Sequence, residues 1–185
     1  MEAIIKTKVM DGIYLVLKNG KKVKFTGKNS EQEKKACKYI GFKLGCKAIC
    51  IALHDASADC VPLTAKVDRT DYDGYKDNYL DATDDWNGKA NTKHLKQIGL
   101  HPEIHLEEGE YIPSVGELKF IQLFRKGIDE AIKFVGGKPF SDDWYWTSTE
   151  YSSSYAWFLS LFDGNLNYWF TKASNSGRVR AVSAF

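Results

Sequence analysis

Residues 151–177 read YSSSYAWFLSLFDGNLNYWFTKASNSG. The stretch is dense in Tyr, Phe, Trp, Ser, Asn and Gly, with a single lysine, a single aspartate and no glutamate. It is either buried core or a surface built for contact, and periodicity is the first test. As a strand from Trp157 to Phe162, alternate side chains face opposite ways. Trp157, Leu159 and Leu161 then share an ordinary core face. Phe158, Ser160 and Phe162 share the other, which mixes large aromatics with serine. Asp163-Gly164 is a hairpin turn signal. Beyond it Leu166 reads as core and Asn165 and Asn167 as outward, while the phase from Tyr168 to Phe170 is undetermined. Two readings follow. The second face is exposed, with the Tyr, Phe, Asn, Ser and Gly composition of antibody binding loops; or Phe158 and Phe162 pack beneath the acidic segment 64–92 and the sheet is buried on both sides.

Outward from this stretch the pattern is α+β. WYWTSTE, AWFLSLF, NLNYWF and RVRAVSAF are short strands separated by Ser-, Asn- and Gly-rich turns. Before them lie two helices. NTKHLKQIG is closed by Gly99. The other starts with an S-x-x-E capping box, Ser114 and Glu117 after Pro113, carries Phe120, Leu123 and Phe124 on one face, and is interrupted at Gly127 before IDEAIKFV and Gly136-Gly137. KAICIALHDAS suits a buried strand, and SEQEKKACKYIGF is a short helix or a linker. AIIKTKV and GIYLVLKNGKKVKF read as strands, the latter a hairpin turning at Asn19-Gly20. The expected division is a small β-rich module over 1–40 and a domain over 41–185, with a variable region at about 144–185.

Bulk properties narrow the function. The 185 residues carry a formal charge of +2, which gives no electrostatic case for nucleic acid. No apolar run approaches a membrane span, and MEAIIKTKVM has no signal-peptide pattern. Cys37, Cys46, Cys50 and Cys60 are expected as free thiols, with two disulfides or a zinc pair at Cys46 and Cys50 as the alternatives. HPEIH (101–105) is not H-E-x-x-H, and His54 beside Cys50 and Cys60 reads as a buried strand end rather than a catalytic pair. Asp68, Asp71, Asp73, Asp77, Asp81, Asp84 and Asp85 do not form an EF-hand. Aligning Gly74 with its glycine puts Arg69 and Leu80 where carboxylates belong. Irregular calcium binding stays open beside a solvated acidic loop, but no Glu-Pro-Asn-like tripeptide is present. No G-x-S-x-G occurs.

YIPSVGEL (111–118), DDWYWTSTEYSSSYAW (142–157), DGN (163–165) and the closing RVRAVSAF resemble the C-type-lectin-fold variable proteins of diversity-generating retroelements, a family that includes phage tropism determinants. The resemblance covers about residues 91–185, and KAICIALHDAS could extend it as an early strand. It implies a C-type lectin-like fold and a non-catalytic ligand- or receptor-binding protein. In that family, copying of adenines in a template diversifies the last coding segment. The positions this implies here are Tyr155, Phe158, Ser160, Phe162, Asn165, Asn167, Tyr168, Phe170, Asn175 and Gly177. Trp157, Leu159, Leu161, Gly164, Leu166, Arg178, Val179 and Arg180 would be constant scaffold. Trp169 is either scaffold or the product of a lysine codon. No cofactor or metal is implied. The implied partner is a protein or glycan ligand on a cell surface, without membrane insertion, on a phage particle or bacterial surface; a homo-oligomer stays open. The alternatives are a lectin-like domain of fixed carbohydrate specificity and a formylglycine-generating-type enzyme. The latter needs a reactive cysteine pair in the C-terminal region, where no cysteine follows Cys60.

Overall fold

The computed structural model describes residues 10–66 and 72–185. The expected first strand, AIIKTKV, lies outside them, as do Asp68, Arg69 and Asp71. The described residues form eight strands and five helices in an α+β arrangement with two antiparallel sheets.

The chain opens with β1 (Gly12–Leu17) and β2 (Lys22–Lys24). They turn at Asn19-Gly20, where Gly20 takes φ 83° and the Asn19 side chain accepts from the Lys21 N–H at 3.0 Å. Helix α1 (Glu31–Ala36) follows, capped reciprocally by Ser30 and Glu33. The ambiguous segment is thus a helix in its first half. Its second half is β3 (Cys37–Leu44), antiparallel to β4 (Lys47–Asp55). The last strand, β8 (Arg180–Ser183), lies against β4, completing the order β2-β1-β3-β4-β8.

This order corrects the expected boundary at residue 40. The N-terminal hairpin is not a separate module. β1 pairs with β3 from Gly12 opposite Lys43 to Leu17 opposite Cys37. Leu15, Ile40 and Ile51 from adjacent strands are wholly buried in one cluster. Alternating apolar residues in a hairpin state that one face is covered, not which element covers it.

Between the sheets run α2 (Tyr79–Thr83), α3 (Gly88–Ile98), α4 (Val115–Leu123) and α5 (Arg125–Phe134). Gly99 ends α3 in the left-handed region at φ 111°. Glu117 accepts from the Ser114 N–H at 2.8 Å, as the capping-box spacing predicts. The break between α4 and α5 falls at Phe124, not Gly127. Phe124 takes φ −115° and sets its ring 4.7 Å from Phe42. Gly127 lies inside α5, where a Cβ would come within 2.9 Å of Ile13 Cδ1. Close packing on β1 explains this glycine, not helix termination.

The second sheet contains β5 (Trp144–Glu150), β6 (Ala156–Ser160) and β7 (Leu166–Asn167) in that order. Tyr145, Leu159 and Leu161 face the main core with Leu118, Ile121 and Ile128. Trp146, Ala156 and Phe158 enter a second core with Val61, Leu63, Leu95 and Val179. The middle of this sheet is therefore buried on both faces. No helix among the described residues is long and apolar enough to cross a membrane.

Candidate ligand-binding cleft

The ten implied variable positions divide by burial. Tyr155, Phe162 and Asn165 are exposed, with Phe162 at 73%. Asn167, Tyr168, Phe170 and Asn175 are half-buried, and Phe158, Ser160 and Gly177 are buried.

Phe158 keeps the alternation but takes the buried reading of its face, not the exposed one. Its ring stacks on Phe170 at 4.1 Å and lies 4.6 Å from Trp144. Phe162 escapes because β6 ends at Ser160, placing it in the turn before β7. Gly177 exchanges backbone hydrogen bonds with Val61, both 3.0 Å, and a Cβ there would meet the Trp146 indole at 3.1 Å. Asn175 accepts from the Thr171 N–H and hydroxyl, both at 2.9 Å, closing its own turn. These positions hold the segment rather than display it.

The surface that remains is a divided cleft around Tyr168 and Trp169. One hollow, about 350 Å³, is lined by Tyr151, Tyr155, Tyr168 and Trp169. The other, about 320 Å³, adds Trp157, Leu166 and Asn167 from the sheet and Asp77, Asn78 and Tyr79 from the α2 approach. Trp169 is 70% exposed and Tyr79 50%. Tyr151 stacks on Tyr168 at 4.1 Å with an interplanar angle of 8°. The Asn167 side chain accepts from the Tyr168 and Trp169 N–H groups at 2.7 and 3.0 Å, which fixes the turn that presents both rings.

Buried polar groups set the frame beneath. Lys172 and Glu150 are an ion pair, 1% and 0% exposed in their side chains, tying the 171–177 segment to the end of β5. His94 Nε2 lies 3.3 Å from Glu150 Oε2, and the Tyr72 ring stacks on His94 at 3.7 Å. Burial, then the nearby Glu150, raises the Tyr72 phenol above its ordinary range. The Lys76 N–H donates to the Glu150 carbonyl at 2.9 Å, and the Trp157 indole donates to the Lys76 carbonyl at 2.7 Å. Residues 72–78 are thus strapped across the sheet beside the cleft. Asp85 accepts from the Asn87 N–H, the Asn91 amide and the Thr149 hydroxyl at 2.6–2.9 Å. It belongs to this frame rather than to a solvated loop.

Tyr151, Trp169, Asp77, Asn78 and Tyr79 were not legible as cleft residues. β7 has only two residues, so period-two reasoning stops at Asn167. The long-range contacts of residues 76–79 leave no local periodic signal.

A larger hollow, about 460 Å³, lies between β3, β4 and residues 105–110, with His54, Asp55, His105 and Glu107 in its lining. His54 is exposed there, not a buried strand end. Lys38 closes on Glu107 at 3.0 Å. Among the described residues no group of three His, Cys, Asp or Glu side chains could hold a metal ion. The four cysteines are unpaired, and burial pushes the Cys37 and Cys50 thiols up to about 11.

A fimbrial protein shares this fold. The crystal structure of a fimbrial protein from Bacteroides ovatus superposes with a TM-score of 0.69 at 16% identity. The likeness covers 96% of this chain and 49% of that one, so the chain spans about half the length of the neighbour. No protein-family model and no curated protein matches the sequence.

Proposed function

We propose that this chain is a non-catalytic ligand- or receptor-binding protein, built on a C-type lectin-like arrangement, whose C-terminal segment is a retroelement-diversified recognition surface. The observation that carries the binding reading is the exposure of Trp169 and Tyr155 around two adjoining aromatic-lined hollows. Exposed large aromatics in a recessed site favour contact over solvation, and rigid Tyr and Trp side chains give contact area at low entropic cost. Asn78 and Asn167 line the same site, each held in place by its own internal hydrogen bonds. The proposed setting is a phage particle or bacterial surface, and the fimbrial nature of the structural neighbour fits it. The proposed partner is a protein or glycan on a cell surface.

The test is binding to protein and glycan arrays by the wild type and by a Tyr155→Ala, Trp169→Ala double variant. The reading expects specific hits that the double variant loses while keeping its thermal unfolding midpoint. Hits that persist in the double variant would place recognition elsewhere. Calcium-independent binding to a single glycan class across natural variants would favour the fixed-lectin alternative.

A further inference from the structure

We propose that the hollow between Trp169 and Asp77 is a cage for a quaternary ammonium group, of the kind carried by choline. The inference rests on the ligand-binding reading above and names a ligand chemistry for the same site.

Ring orientation is the first argument. The Tyr168 ring meets Trp157 at 65° and Trp169 at 84°, with centroids 5.1 and 6.3 Å apart. A flat sugar ring is best served by an open platform. Crossed rings instead make the walls of a box, and a compact cation can touch several of them together. Tyr151 stacks on one face of Tyr168 and does not itself line this hollow. Each ring face carries negative quadrupolar potential that attracts a cation within about 6 Å of the centroid.

Charge is the second argument. Asp77 is an exposed carboxylate in the lining. It accepts from the Asn78 amide at 3.4 Å through one oxygen, which leaves acceptor capacity for a positive ligand. Lys119 Nζ already lies 5.0 Å from the Tyr79 ring and donates to its hydroxyl at 2.8 Å. Tyr79 is therefore spent on an internal cation, and the cage relies on Tyr168 and the exposed Trp169, with the buried Trp157 closing its base. A methylated ammonium suits it better than a bare one. Its methyl groups fill apolar space, and its weak hydration makes desolvation less costly.

Saturation-transfer NMR on the N-methyl protons of choline, with its neutral carbon isostere dimethylbutanol and with lysine amide as comparators, tests the proposal. Saturable choline binding is expected, with dimethylbutanol much weaker. Trp169→Ala should weaken choline about fivefold or more. Asp77→Asn should weaken it and reduce its salt dependence. Lysine amide matching choline would overturn the preference for a quaternary ammonium and leave a general cation site. Equal binding of dimethylbutanol would overturn the cage and leave an apolar binding cleft. No choline binding, with array hits that still depend on Trp169, would overturn the cage alone. No choline binding, with hits independent of Trp169, would overturn both readings.

Discussion

Phe158 and Trp169 are large aromatics of the same segment, and the fold uses them in opposite ways. Phe158 is 3% exposed between Trp144, Trp146 and Phe170, whereas Trp169 is 70% exposed. Phe158→Ala is expected to cost about 3–5 kcal/mol in denaturant unfolding, the range for a buried aromatic truncation. Trp169→Ala should stay within about 0.5 kcal/mol of the wild type. Equal costs at both positions would contradict the assignment of core and cleft. The cysteines give a second residue-scale test. Cys46 and Cys60 are exposed, Cys37 and Cys50 buried. Native protein should react with a thiol reagent at Cys46 first and at Cys60 more slowly, because burial and then Asp143 raise its pKa. Cys37 and Cys50 should react only on unfolding. Their folded-state pKa values stand at about 11 against an ordinary 9.0. The neutral thiols therefore contribute stability that is whole below about pH 9 and lost as pH rises through about 11. Urea midpoints measured across that range should fall.

At the scale of elements, a buried ion pair joins backbone hydrogen bonds to Ser154, Leu63 and Val61 in holding the 171–177 segment. Removing a single partner leaves an uncompensated buried charge, so Lys172→Ala should destabilise by about 3–5 kcal/mol. A Lys172→Met, Glu150→Gln double variant should lose less than Lys172→Ala, because no charge is stranded. A double variant no better than the single one would mean that a stranded charge is not what Lys172→Ala costs. This pairing was illegible in sequence, since Glu150 and Lys172 belong to different local patterns. Helix termini were legible: Ser114, Glu117 and Gly99 signal through spacings of a few residues, which geometry alone makes meaningful. The α4–α5 break was misread at Gly127 because a glycine kept for close packing on Ile13 looks, in sequence, like one kept for a turn. The face of β6 was half legible. Alternation placed Trp157 and Leu159 on one side, but it cannot say whether a second core covers the other.

For the whole molecule, the N-terminal hairpin is part of the main sheet, joined through β1 and β3. A chain lacking residues 1–29 should therefore lose cooperative unfolding rather than release an intact C-terminal domain, as followed by calorimetry. The class of fold was visible from the order of strand and helix patterns, whereas sheet membership was not, because pairing partners are set by contacts distant in sequence. The same limit applied to the cleft. Tyr155, Asn167 and Tyr168 are among the ligand-binding positions the resemblance implies; Asp77 and Tyr79 reach the cleft through the strap over Glu150 and Trp157. The central claim is that a varied surface sits on an unvaried frame, and population sequencing of the gene's 3′ end and its flanking DNA tests it most directly. The account predicts a nearby near-copy of that end beside a reverse transcriptase gene. It also predicts codon differences concentrated at exposed or half-buried positions such as Tyr155, Phe162, Asn165, Asn167 and Tyr168, with Trp157, Phe158, Lys172 and Gly177 constant. No such copy, or substitutions spread equally over the buried positions, would contradict it.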